Sequence, residues 1–259
     1  MAKQSRSAEF AFISAFISAF ISASKPVSKL APVLIAAFCL GIAPHAGAIP
    51  DAKIATAIKP GGNAQAGEAK AAACGGCHGA DGNSAPEIYA AMKAPKLAGQ
   101  VPEYIAKSLH DFKAGRRVNE MMTPQAQAVS DADIADIAAY FGSQKATAGK
   151  PTQKELLAQG EKIFFKGKGR PDVVAACVGC HGLNGIGNRD WGKIMALPPV
   201  TLAPAIGGQH GGYIADQLTA YKTGKRSTDA SRVMRDIAGR LNEQDIAAVS
   251  EYIATLQPR

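Results

Sequence analysis

Cys74-Gly75-Gly76-Cys77-His78 and Cys177-Val178-Gly179-Cys180-His181 are two copies of one pattern, C-x-x-C-H, and their reading decides the fold. On one helical turn the two thiols of such a segment can add to the two vinyl groups of a porphyrin. The following imidazole then lies under the iron, so the pattern marks covalent haem c attachment. Two other uses of the same residue types compete. A redox dithiol has no need of His78 or His181, and a Cys/His zinc site favours one shared cluster over two separate ones. One haem c on Cys74 and Cys77 and a second on Cys177 and Cys180, with His78 and His181 as iron ligands, gives every fixed residue of both motifs a task.

Each motif opens a longer repeat. Gly99-Gln100 is followed by Tyr104-Ile105-Ala106, Leu109, Phe112, Lys113, Gly115, Arg116 and Arg117. At a constant offset of 109 residues, Gly208-Gln209 is followed by Tyr213-Ile214-Ala215, Leu218, Tyr221, Lys222, Gly224, Lys225 and Arg226. The apolar residues of each run fall at i, i+4 and i+7, which predicts a middle helix ended by glycine. The basic pair beyond the glycine suits either a helix C-terminus or a partner-binding surface. Ser130 with Asp133, and Asn242 with Asp245, read as N-terminal caps of a final helix. Its buried stripe is Ile134, Ile137, Ala138 and Phe141 in the first copy, and Ile246, Val249, Ile253 and Leu256 in the second. No convincing strand alternation appears, so the class is all-α: attachment helix, loop, middle helix, methionine loop, final helix, twice. The polar, small-residue stretch 145–154 reads as the linker between domains at 49–144 and 155–259.

The sixth iron ligand decides what such a haem does. His plus Met gives a saturated, low-spin iron suited to electron transfer, whereas an open position favours peroxidase or ligand chemistry. Met122 and Met234 each stand eight residues before a helix cap, Ser130 and Asn242, and are the expected ligands. Met121 rivals Met122, since spacing within one copy does not exclude a shift of one residue. Met92 and Met195, fourteen residues after their histidines, are expected to stay on the histidine side of the ring. His110 and His210 are weaker alternatives, because neither recurs in the other copy.

The chain of 259 residues carries 29 Lys+Arg and 21 Asp+Glu, a net charge of +8, and is 47% hydrophobic but only 6% aromatic. That composition excludes a disordered chain. It also supplies two small cores thinly with bulky side chains, which a porphyrin would remedy. Residues 1–48 read as a cleaved export signal: Lys25 and Lys29, an apolar stretch 30–43, then Ala46-Gly47-Ala48 as an A-x-A cleavage site. Cys39 falls inside it, and Phe-Ile-Ser-Ala repeats three times upstream. Beyond the signal, residues 49–149 balance 10 Lys+Arg against 10 Asp+Glu, while residues 150–259 carry 15 against 10. The second half therefore holds all the positive excess, which favours an acidic partner or an anionic membrane surface. The second copy also has longer connections before and after its motif, the latter carrying Trp191, which is expected to pack over the haem edge or a neighbouring loop.

The paired C-x-x-C-H sites, Pro95-Lys96-Leu97-Ala98-Gly99-Gln100 with its partner Pro204-Ala205-Ile206-Gly207-Gly208-Gln209, and the methionine eight residues before a capped Asp-Ile helix resemble the dihaem cytochrome c4 family. The resemblance covers nearly all of residues 60–257. It implies two tandem class I cytochrome c domains, each wrapped around a haem c. It implies, too, that the carbonyls of Pro95 and Pro204 accept the N–H of His78 and His181 and so orient the rings. The implied role is a periplasmic carrier that takes electrons from a donor such as a cytochrome bc complex to a terminal haem-copper oxidase. Peripheral membrane association fits that role, while nucleic acid and small-molecule substrates do not enter it. A dihaem enzyme, such as a peroxidase or thiosulfate dehydrogenase, or a haem subunit of a larger dehydrogenase, would carry the same two motifs and is the alternative.

Overall fold

The computed structural model describes residues 61–188 and 202–258, all within the compact unit Ala48–Arg259. The expected export signal with Cys39, and also Trp191 and Met195, lie outside the described residues. The first copy folds as α1 (Ala64–Lys70), α2 (Gly75–His78), α3 (Pro86–Met92), α4 (Pro102–Lys113), α5 (Met122–Ala128) and α6 (Asp131–Ser143). The second folds as α7 (Leu157–Lys166), α8 (Val178–His181), α9 (Gly211–Lys222), α10 (Val233–Gly239) and α11 (Glu243–Thr255). Among the described residues extended structure is limited to two isolated bridges, Lys168 with Val174 and Asn188 with Ala203. The fold is all-α.

The final helices begin where the caps predict. Ser130 Oγ accepts the Asp133 N–H at 3.2 Å, and Asn242 Oδ1 accepts the Asp245 N–H at 2.8 Å. Asp245 answers by accepting the Asn242 N–H at 3.1 Å, closing a capping box. Ile134, Ile137, Ala138 and Phe141 are buried in one core, and Ile246, Val249, Ile253 and Leu256 in the other. The middle helices α4 and α9 add Ile105 and Ile214 to these cores.

Five helices exceed the sequence expectation, and one of them, α3, stands in the expected loop between attachment turn and middle helix. Helices α1 and α7 precede the attachment turns, and α1 packs on α6 as α7 packs on α11. Both pairs approach closely at Gly67 and Gly160. Helix α7 adds Phe164 and Phe165 against Tyr252 of α11, whereas α1 (AQAGEAK) carries no large apolar side chain and shows little hydrophobic periodicity. Each methionine loop also contains a short helix, α5 or α10. Lys113 Nζ donates to the Val129 carbonyl at the end of α5, at 2.6 Å. Its repeat partner Lys222 donates to the Leu241 carbonyl past α10. A lysine from each middle helix thus satisfies a carbonyl left free where a loop helix ends.

The two copies pack against each other, and this settles the role of Arg117 and Arg226. Arg117 Nη2 donates to Tyr213 Oη at 3.0 Å, and Arg226 Nη2 donates to Tyr104 Oη at 2.6 Å. Gln217 Oε1 accepts from both guanidinium groups, at 2.9 and 2.7 Å. These arginines join the two halves, whereas Arg116 turns back to Asp111 at 2.9 Å. The connecting segment is held from both sides. Asn83 Oδ1 accepts the Thr147 N–H at 2.9 Å, and Glu251 Oε2 accepts the Thr152 N–H at 2.6 Å.

Candidate haem-attachment sites

Each C-x-x-C-H segment forms a single helical turn, and a glycine ends it. Gly79 and Gly182 both take φ +80°, a left-handed conformation that glycine adopts without a Cβ penalty, so the chain turns away directly after the histidine. His78 and His181 are only 5% and 7% exposed. His78 Nδ1–H donates to the Pro95 carbonyl at 2.7 Å, and His181 Nδ1–H to the Pro204 carbonyl at 2.8 Å. Burial holds both imidazoles below the ordinary histidine range, against the opposing pull of these carbonyls. The rings are therefore neutral at physiological pH, with the Nδ1 proton committed to a carbonyl and the tautomer fixed. Nε2 is left as the metal-binding nitrogen.

The cysteines fit the same use. Cys74, Cys77, Cys177 and Cys180 are all unbridged. Burial pushes the Cys177 thiol up to about 11, and burial with the neighbouring Cys77 raises Cys74. A redox dithiol needs the opposite shift, toward a thiolate. Among the described residues no three His, Cys, Asp or Glu side chains converge as a metal site. A half-buried turn carrying two unbridged cysteines and one buried, oriented imidazole suits covalent haem c, whose thioethers are uncharged.

The methionines separate in space. Met121 is 54% exposed, while Met122 is half-buried and begins α5. Asn119 Oδ1 sets that loop by accepting the N–H groups of Met121 and Met122 at 3.1 and 2.9 Å. Met234 packs against the second core near the start of α10. Asp229 organises its approach, accepting from the Arg235 backbone and guanidinium at 2.9 and 2.7 Å. The two residues before α10, Ser231 and Arg232, take positive φ of 53° and 60°. Such backbone costs on the order of 1–3 kcal/mol per residue and persists only where the surroundings impose it. Met92 Sδ lies 3.9 Å from Cys77 Sγ, beside the attachment turn as expected.

The two alternative histidines sit in unrelated settings, and neither recurs in the other copy. His210 stacks on Tyr89 of the other copy, ring centroids 4.4 Å apart. His110 lies on α4, where burial lowers its pKa and Asp131 is a charged neighbour. Sequence reasoning missed the polar residues that join the copies, among them Gln100 and Gln209. Their signal was a polar residue kept at the same position of both copies.

The cytochrome c family model matches the chain twice, over residues 64–145 and 157–257. Cytochrome c4 of Pseudomonas aeruginosa is 46% identical over 196 residues, covering 75% of this chain and 89% of the relative. The crystal structure of reduced recombinant cytochrome c4 from Pseudomonas stutzeri superposes with a TM-score of 0.65 at 42% identity, covering 76% of this chain and all of that one. A thiosulfate dehydrogenase electron acceptor of Thiomonas intermedia is 33% identical over 191 residues, covering 71% of this chain and 79% of the relative. Two tandem cytochrome c domains carry two covalently bound haem c groups. The chain belongs to the cytochrome c4 family, as a dihaem electron carrier and not an enzyme.

Proposed function

We propose that His78 and Met122 ligate the iron of the first haem and His181 and Met234 that of the second, with thioether bonds from Cys74, Cys77, Cys177 and Cys180. The supporting observation is that both copies present a buried imidazole with Nδ1–H on a proline carbonyl, at 2.7 and 2.8 Å. Both also offer a methionine eight residues before a capped final helix. The half-buried Met122 is preferred over the exposed Met121 on this ground. Each bound haem supplies a one-electron iron couple, and methionine ligation raises its potential. The protein's part is to hold the imidazoles neutral and oriented, to exclude water and to present a docking surface.

The chain is exported to the periplasm, with residues 1–48 as its signal. It passes single electrons from a respiratory donor such as a cytochrome bc complex to a terminal haem-copper oxidase, and the positive excess of residues 150–259 supports an acidic partner or an anionic membrane surface. A second donor class, a thiosulfate-oxidising enzyme, is favoured by the relative named as the electron acceptor of such an enzyme. Optical spectra of the purified protein in both oxidation states test the ligation. Two haems per chain, both with the weak near-infrared methionine-to-iron band, are expected. A high-spin signal from one haem would refute it.

A further inference from the structure

Lys96 and Ala205, which follow Pro95 and Pro204, are each gripped from the other domain by a glutamine amide. Gln209 Oε1 accepts the Lys96 backbone N–H at 2.9 Å, and Gln209 Nε2 donates to the Lys96 carbonyl at 2.9 Å. Gln100 repeats the pair in the opposite direction: its Oε1 accepts the Ala205 N–H at 2.8 Å, and its Nε2 donates to the Ala205 carbonyl at 2.8 Å. The same offset of 109 residues relates Gln100 to Gln209 and Lys96 to Ala205, so the contact is self-complementary between the two repeats. Each amide oxygen also accepts the N–H of the next residue, Val101 at 3.0 Å and His210 at 3.1 Å. Two N–H donors converging on one oxygen fix which way the amide points. Gln209 is 7% exposed, so little water competes for these bonds.

The Lys96 N–H belongs to the same peptide group as the Pro95 carbonyl, and that carbonyl holds His78. One hydrogen-bonded chain therefore runs from the His78 Nδ1–H through the Pro95–Lys96 peptide to the amide oxygen of Gln209 in the other domain. The mirror chain runs from His181 through the Pro204–Ala205 peptide to Gln100. A peptide whose N–H is engaged is polarised and becomes a better acceptor at its oxygen. A better acceptor on Nδ1–H in turn makes the imidazole a stronger metal ligand.

We infer that Gln209 and Gln100 are positioning residues that act across the domain boundary, Gln209 on the His78 ligand and Gln100 on the His181 ligand. This rests on the histidine ligation proposed above. Stronger imidazole donation favours the ferric state, so each glutamine lowers the potential of the haem in the other domain, and each haem's ligand field depends on the two domains being docked. A residue that served only as interface glue would not act on one haem in this crossed pattern.

The test is a redox titration of the full dihaem protein carrying Gln209→Met or Gln100→Met, which keep bulk and remove the amide. NMR of the reduced protein distinguishes the two haems and reports each ligand histidine's Nδ1 proton. Q209M is expected to shift the reduction equilibrium of the first-domain haem severalfold toward ferrous, a tenfold change being 59 mV for one electron. It should also move the His78 Nδ1 proton upfield and leave the second haem unchanged, while Q100M does the reverse. A shift confined to the haem of the mutated domain, equal shifts of both haems, or no shift would overturn the inference. Q209E, which keeps the acceptor oxygen, guards against a methionine variant that fails to fold. It should hold the first-domain potential at or below wild type, and a value above wild type counts against the inference. Wild-type spectra without histidine and methionine ligation would overturn the ligation itself. Intact ligation with silent variants would overturn only the glutamine bridge.

Discussion

Gly67 and Asp136 meet backbone to backbone: a Cβ on Gly67 would stand 2.1 Å from the Asp136 carbonyl oxygen, and Gly160 repeats the arrangement against Ala248, also at 2.1 Å. The obstacle in both places is helix backbone, which cannot rotate aside as a side chain can. Gly67→Ala or Gly160→Ala must therefore push α1 off α6, or α7 off α11, although alanine is the better helix former. Overpacking a tight contact costs about 1–3 kcal/mol, and the rigid neighbour places these sites at the upper end. Urea unfolding of the holoprotein is expected to show a lower midpoint for either variant. An unchanged or raised midpoint would mean the helices have room to spare.

Met121 and Met122 differ in exposure although they are adjacent, and the difference gives opposite expectations. Met122→Ala should abolish the methionine-to-iron band of one haem and lower that haem's potential sharply, because the ligand set changes. Met121→Ala should leave spectrum and potential near wild type. Met234→Ala should act on the other haem. Titrating the three variants optically decides the matter, and a lost band in Met121→Ala would exchange the two assignments.

How much of this was legible in the sequence depended on the kind of residue that carried the information. The attachment turns, the final helices and their caps were readable, because Cys-x-x-Cys-His, Ser130-x-x-Asp133 and Asn242-x-x-Asp245 act over one helical turn. The stripes at Ile134 to Phe141 and Ile246 to Leu256 were readable because large side chains mark the buried face. Helix α1 was not, since Gly67 buries itself by lacking a side chain. The docking of the domains was hidden for another reason. Gln100, Gln209, Arg117 and Arg226 make contacts across about a hundred residues of chain, and a polar residue's partner at that separation leaves no local pattern. The repeat showed that these residues recur, and only the fold showed that they recur because each serves the other copy.

The charge asymmetry predicts a salt effect with a defined location. The connection before Cys177 carries Lys166, Lys168 and Arg170 in a stretch the first copy lacks. Lys162, Lys168 and Arg170 line one open cleft of about 370 Å³ with Gln159 and Asp245. Reversing Lys162 and Arg170 to Glu should slow electron transfer with an acidic partner about tenfold at low ionic strength and flatten the dependence on salt. Stopped-flow rates at several salt concentrations measure this. Wild-type rates that do not respond to salt would dismiss steering altogether.

Asp245 gives a prediction for acid stability. It is 5% exposed and, besides its capping bond to the Asn242 N–H at 3.1 Å, accepts from Gln159 Nε2 at 3.2 Å and pairs with Lys168. Burial opposes its ionisation, but Lys168, the Asn242 N–H and Gln159 outweigh burial and hold the carboxyl below its ordinary range. In the unfolded chain it returns to about 3.9. The depressed native value means that the unfolded state takes up the proton more readily, so its contribution is complete above about pH 4 and is lost as pH falls through the native value. Asp245→Asn removes the charged bond to Lys168 while keeping the shape, and should cost about 2 kcal/mol at neutral pH. Across the acid limb the variant's stability should fall less steeply than wild type, so that the two curves converge toward low pH. Urea titrations of both proteins from pH 7 down to pH 3 measure the gap, and a gap that stays constant or widens as the pH drops would show that Asp245 acts through packing and not through its charge.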